Sequence, residues 1–253
     1  MFRPRVIPLL LLRNLGLVKS VRFKNHRYIG DPINAVKIFN DLKADELVFL
    51  DISASHEKRI ISLDFVNRVG DEANMPFAVG GGIRSLHDIK QILNAGAEKV
   101  VINTYAAENP EFIKEASETF GSSAIVVCID VKRNFFSKDK TWIFSGEKNT
   151  GMDPVSYACK IQEMGAGEII IQSIENDGTM SGYYLKLIRS ISESVTIPVV
   201  ALGGAGNLQH IKEAVFEAKA SAAAAGSMFI YHGPRKAVLI NYPTQKELID
   251  LYL

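Results

Sequence analysis

Two glycine-rich stretches, Gly80-Gly81-Gly82 and Gly203-Gly204-Ala205-Gly206, each close a short apolar run. Glycine lets backbone N–H groups approach an anion closely, and a helix starting just beyond adds a favourable dipole. Each stretch is followed along the chain by a second end of small or polar residues, Asn103-Thr104 after the first and Ala225-Gly226-Ser227 after the second. The string NDGTMSG (176–182) brings Asp177 and Gly178 toward the second stretch. One GGG is no more than a tight turn. Two such cradles related by an internal repeat predict an elongated ligand with a phosphate at each end.

A second set of residues has a different chemistry. Arg5, Glu46, Lys99 and Glu168 each stand where an apolar run begins. Two cations and two anions at one depth form a self-neutralising ring. On residue type alone, the plain reading of such a ring is ion pairing for stability.

The elements that must position these groups are short β-branched runs alternating with helical patterns. The strands read are 5–11, 46–52, 76–81, 99–103, 124–130, 168–174, 198–204 and 221–226. Between them lie segments such as Pro32–Lys43, Leu86–Ala95, Pro110–Thr119, Val155–Met164 and Leu208–Ala218, with apolar residues three or four apart. Near-continuous apolar strands separated by helices predict a parallel sheet covered on both faces. Eight such units in 253 residues fit an α/β fold, a (β/α)8 TIM barrel formed as a single domain over 1–253. An open doubly wound sheet is the alternative and usually has fewer strands.

The repeat is visible directly. AVGGGI (78–83) and VALGGA (200–205), ELVFLDISAS (46–55) and EIIIQSIEND (168–177), and KVVINT (99–104) and SAAAAG (221–226) are each 122 positions apart. VIPLLLLR (6–13) and IVVCIDVK (125–132) are 119 apart. The chain therefore reads as two half-barrels of four units. After strand five, TWIFSG predicts a small hairpin over the barrel mouth, and 231–243 reads as extended before a last helix from Thr244.

Composition narrows the partners. A net charge of +1, with scattered basic residues, gives no electrostatic case for nucleic acid or a membrane surface. No apolar segment is long enough to span a bilayer. MFRPRVIPLLLL is broken by Pro8 and lacks a small-residue cleavage site, so the chain reads as cytoplasmic. Cys128, Cys159 and the five histidines have no metal-ligand spacing, and no metal site is expected.

With these strings together, the chain resembles the cyclase subunit of imidazole glycerol phosphate synthase. The matching motifs are DELVFLDI, VGGGI, INT, AIVVCIDVKR, SGEKNTG, GAGEI, DGT-SGY and GGAG, which run from strand one to strand eight. The resemblance implies a mouth that cyclises an aminated bis-phosphorylated ribulosyl compound with ammonia from a glutaminase partner docked below, forming a heterodimer. It implies no metal or organic cofactor. It assigns the cradle glycines and their neighbours to phosphate binding, Lys19 to a mobile substrate loop, and the four-residue charged ring to gating of ammonia. Glu98 matches an acidic position facing the partner.

The resemblance also implies an acid–base pair of aspartates at the ends of strands one and five. Asp130 in CIDVKR is the strand-five member. Its partner position, by the resemblance and by the 119-residue offset alike, is Leu11. No side chain from Leu9 to Leu12 can move a proton. A positioned acid or base is worth about 10²- to 10⁴-fold in rate. A leucine beside Asp130 also desolvates it, raising its pKa and weakening it as a base. Weak or absent cyclase activity is expected. Relatives of this divergent kind are associated with glutaminase-coupled amidination of sugars for surface polysaccharides, with a sugar-nucleotide-related molecule as the small-molecule partner. The alternative is a working cyclase of histidine biosynthesis with Asp130 and Lys19 compensating.

Overall fold

The computed structural model describes residues 3–252, so residues 1, 2 and 253 of the expected 1–253 domain lie outside it. Eight parallel strands close into a barrel: Arg5–Arg13, Leu47–Asp51, Phe77–Gly80, Lys99–Ile102, Ile125–Arg133, Glu168–Ser173, Val199–Leu202 and Ala222–Ala225. We number these strands one to eight. Each pairs in parallel with the next. Strand eight returns to strand one, with Arg5 opposite Ala222. The expected (β/α)8 architecture is borne out.

Alternation along each strand sends side chains to two separate cores. In strand one Val6, Leu10 and Leu12 pack outward against the helices, while Ile7, Leu9 and Leu11 face the barrel interior. In strand six Ile169 and Ile171 face out and Ile170 faces in. A continuous apolar run is thus what a strand buried on both faces requires.

The repeat extends to the helix caps. Asp31 accepts from the Asn34 backbone N–H at the start of the Pro32–Asp41 helix. Asp153, 122 positions on, accepts from Ser156 N–H at the start of Pro154–Glu163. In both, proline occupies the first turn, where no N–H is needed.

Two hairpins interrupt the simple alternation, one after strand one and one after strand five, which stand on opposite sides of the mouth. Gly16–Val21 folds back antiparallel on strand one and pairs with Lys24–Gly30. Asp139–Ile143 folds back on strand five, as expected, and pairs with Lys148–Asn149. The hairpins meet above the mouth, where the Phe23 ring lies 3.1 Å from where a side chain on Gly146 would begin.

One expectation is corrected here. Lys19 does not lie in a loop but within the strand Gly16–Val21, and it is buried. Two tight turns, Asn14-Leu15 and Arg22-Phe23, have all four residues at φ between 51° and 61° and fold the segment into a twisted ladder. In the tail, Tyr231–His232 pairs antiparallel with Ala237–Val238 before the helix Gln245–Leu251, which Thr244 caps.

Candidate active site

The four charged residues at the strand starts close into one ring. Arg5 donates to both Glu46 and Glu168. Lys99 Nζ donates to the same two acids, at 2.9 and 3.0 Å. Both glutamates are buried, and each is shared by two cations. Desolvating a carboxylate is costly unless it is fully paired, and the alternating ring meets that condition. Glu98, beside Lys99, is exposed on this lower face.

Above the ring the barrel interior is apolar. Ile7, Leu9, Val48, Ala78, Val101 and Ile170 belong to its packed cluster, and Leu11 and Leu50 pack on the cluster's upper end. Cys128 is its one weakly polar member.

The mouth holds two adjoining hollows, and Leu11 lines both. The first, of about 110 Å³, brings together Gly81, Gly82, Asn103, Thr104 and Asp130. Arg84 and Tyr105 also line it. The second, of about 20 Å³, brings together Asp177, Gly178, Gly203, Gly204, Ala225, Gly226 and Ser227. Lys19 reaches into the second hollow, with Nζ 2.9 Å from the Leu9 carbonyl. A side chain on Gly226 would begin 2.1 Å from that nitrogen, so only glycine leaves the lysine room. Burial lowers the Lys19 pKa to about 8, partly offset by the charge of Asp177.

Asp177 has a further task. Its Oδ2 accepts from Ser20 Oγ at 3.0 Å and from the Phe23 N–H at 3.4 Å, and its Oδ1 from Gln172 Nε2 at 3.2 Å. With both oxygens engaged, the carboxylate clamps the first hairpin over the second hollow. Burial raises its pKa.

Asp130 is buried at the end of strand five. Asn103 Nδ2 donates to its Oδ2 at 3.1 Å and to the Cys128 carbonyl at 3.0 Å. The Cys128 thiol lies 3.7 Å from Oδ1. Burial pushes the Asp130 carboxyl up to about 7, against the opposing effect of the Cys128 and Asn103 hydrogen bonds. The direction is the one expected from an apolar neighbour. At about 7 the group is half ionised near neutrality and can either accept or give a proton.

The strand register makes the two halves of the mouth comparable. Asp130 stands opposite Gln172 in the second half, and Leu11 stands opposite Leu50 in the first. These are equivalent positions of the repeat, one pair polar and one pair apolar. Leu11 and Leu50 therefore form one apolar face at the mouth.

Sequence reasoning missed several groups here. Gln172 is one; its place at the end of strand six was the available signal. Asp51 is buried, held by Arg59 at 2.6 Å, and lines the first hollow. His26, on the first hairpin, lines the same hollow, and burial lowers its pKa. Nothing in its spacing marked it, because a long hairpin carries it there. Among the described residues no cluster of three or more His, Cys, Asp or Glu side chains is placed to hold a metal. No helix among them is long and apolar enough to cross a membrane.

Known proteins resemble this chain over nearly its whole length. It is 46% identical over 252 residues to a provisionally named imidazole glycerol phosphate synthase subunit HisF of Leptospira borgpetersenii, covering 98% of this chain and 99% of that one. It is 44% identical over 250 residues to imidazole glycerol phosphate synthase subunit HisF of Methanocaldococcus jannaschii, covering 91% and 92%. A family model described as histidine biosynthesis protein matches residues 5–235. With its closed barrel and charged floor, the chain belongs to the histidine biosynthesis protein family and is similar over nearly its whole length to imidazole glycerol phosphate synthase subunits HisF.

Proposed function

We propose that this chain pairs with a glutaminase at its lower face, admits the ammonia through the Arg5–Glu46–Lys99–Glu168 ring, and delivers it at the mouth to an acceptor other than the imidazole precursor. A sugar undergoing amidination for surface polysaccharide is the acceptor class we favour. The observation that carries this reading is the apolar face of Leu11 and Leu50, continuous with the barrel interior and facing Asp130 and Gln172. Ammonia is small and neutral, so an apolar interior admits it at little cost while refusing ammonium, whose desolvation is prohibitive. Passage requires one ion pair of the closed ring to swing aside, and Arg5 and Lys99 have the long stems to do so. Ring closure to an imidazole needs proton transfers as ammonia attacks and the leaving group departs. Here Asp130 has no carboxylate opposite it at Leu11.

In this reading the cradles hold anionic groups. Gly81, Gly82, Asn103 and Thr104 serve one end of the ligand, and Gly178, Gly203, Gly204, Ala225, Gly226 and Ser227 serve the other. Lys19 supplies a positive charge that titrates near pH 8 at the second cradle, Asp177 holds the covering hairpin, and Glu98 faces the glutaminase.

A second reading is favoured by the setting of Asp130, buried at the mouth beside Asn103 and Cys128, where burial pushes its carboxyl up to about 7. A carboxyl poised there can act first as base and then as acid, so a slow cyclase with one titrating group is chemically coherent. Two experiments separate the readings. Mixing the purified chain with its glutaminase and measuring glutamine hydrolysis tests the pairing; no complex and no stimulation end the proposal. Complementation of a cyclase-deficient histidine auxotroph tests the chemistry; growth at the normal rate establishes the second reading and refutes the first.

A further inference from the structure

The barrel mouth carries an apolar and basic rim that neither the cradles nor the ring explains. Phe135 and Phe136 sit at the tip of the strand-five hairpin, 97% and 76% exposed, ring edge to ring face at 5.6 Å. Across the mouth, the first hairpin exposes Leu15 (62%), Val21 (42%) and Tyr28 (67%). Half of the large apolar side chains exposed on the described residues therefore lie on these two hairpins. Leu15 adds an independent sign. It holds a left-handed conformation, φ 61°, in a two-residue turn where glycine or asparagine is the unstrained choice. An exposed leucine kept in a strained turn gains nothing for the isolated chain.

The charge on this rim is one-sided. Residues 13–30 contain five lysines and arginines and no acid. Arg13, Lys24 and Arg27 on the first hairpin, and Lys138 on the second, make no ion pair among the described residues. The acids nearby have local partners: Glu147 lies 3.7 Å from His56, Glu57 pairs with Arg59, and Asp139 and Glu175 lie at Arg133. On a chain of net charge +1 this is a local excess of positive charge around solvent-exposed phenylalanines.

Resting on the function proposed above, we propose that this rim docks a second protein, with apolar pockets for Phe135–Phe136 and Leu15 set in an acidic surface, and that this protein is the enzyme that consumes the ammonia. An open mouth releases ammonia to water, where it is protonated at neutral pH and lost as a nucleophile. A protein seated on both hairpins keeps the path dry from the ring to the acceptor. The aromatic tip supplies a desolvated anchor and the unpaired cations supply orientation and speed of encounter.

The test uses the full chain in the cells that make it. A photo-crosslinking benzoylphenylalanine replaces Phe135 in one strain and Glu98, on the opposite face, in another. Position 135 is expected to capture a protein other than the glutaminase, while position 98 captures the glutaminase. The protein captured at 135 is then purified and titrated against this chain. Binding is expected to weaken tenfold or more in the double variant Phe135→Ser/Phe136→Ser, and again in Arg27→Glu/Lys138→Glu, and to fall with added salt. Glutaminase stimulation through the lower face is expected to be unchanged by either variant. Capture of the glutaminase at 135, or of nothing while position 98 succeeds, overturns the docking proposal and leaves the ammonia reading standing. Failure at position 98 sinks the ammonia reading and this proposal with it. Sedimentation of the chain with phosphatidylglycerol vesicles, abolished by Phe135→Ser/Phe136→Ser, shows that the rim is a membrane contact and also overturns it.

Discussion

Replacing Asp130 with asparagine isolates the energetic consequence of burying that carboxyl. Its pKa moves from an ordinary 3.8 to about 7 on folding. Each tenfold change in proton affinity is worth about 1.4 kcal/mol, so holding the ionised form in the native barrel costs about 4 kcal/mol. The sign follows from linkage. The raised group takes up a proton on folding, so its contribution is fully present below pH 3.8 and is lost as pH rises through about 7. Asparagine keeps an oxygen to accept from Asn103 but cannot ionise. The stability difference between Asp130→Asn and the parent chain is therefore expected to be small at pH 4 and to grow by about 4 kcal/mol in favour of the variant by pH 8. Urea unfolding at half-unit pH steps measures it, and a ¹³C titration of the Asp130 carboxyl checks the midpoint directly. Parallel stability curves for the two proteins from pH 4 to pH 8 refute the reasoning. They mean that water or a rearranged neighbour solvates the carboxylate, and that the apolar face of Leu11 and Leu50 does not control it.

Four further outcomes are expected. Leu11→Asp places a carboxylate at the end of strand one, across from Asp130; it should cost about 2 kcal/mol or more of stability by burying a polar group beside Leu50, and raise cyclase turnover about 10²- to 10⁴-fold in a direct assay of imidazole glycerol phosphate. Glu168→Gln leaves Arg5 and Lys99 sharing one acid on the barrel floor; a loss of about 3 kcal/mol in urea unfolding is expected, together with slower ammonia delivery from glutamine. Lys19 loses its charge as pH rises through about 8, so calorimetric binding of inorganic phosphate at the second hollow should weaken between pH 7 and pH 9, and Lys19→Met should abolish that dependence. Gly204→Ala forces a side chain to within 2.0 Å of the Gly182 carbonyl at φ 111°, and a loss of about 2 kcal/mol or more in unfolding experiments is expected.

Much of this protein is legible in its sequence, for identifiable reasons. A strand buried on both faces must be apolar throughout, so the eight barrel strands stand out as runs such as AIVVCID and EIIIQSI. The 122-residue repeat relates the two cradles and the two Asp-Pro helix starts without any coordinates, because equal half-barrels need equal spacing. The period-2 alternation puts Leu11 on the same face as Ile7 and Leu9, and the 119-residue offset makes it the counterpart of Asp130 in the other half. What only the tertiary structure decides are encounters between residues that no local pattern links. Leu50 completes the apolar face because parallel register sets it opposite Leu11. Asp177, which Gln172 also bonds, meets Ser20 because the first hairpin folds across to the end of strand six. Lys19 is a buried charge rather than a loop residue because two left-handed turns wind its segment into a ladder over the barrel. Turn handedness and barrel closure are set by backbone geometry summed over many residues, and the environment of each ionisable group follows from that closure.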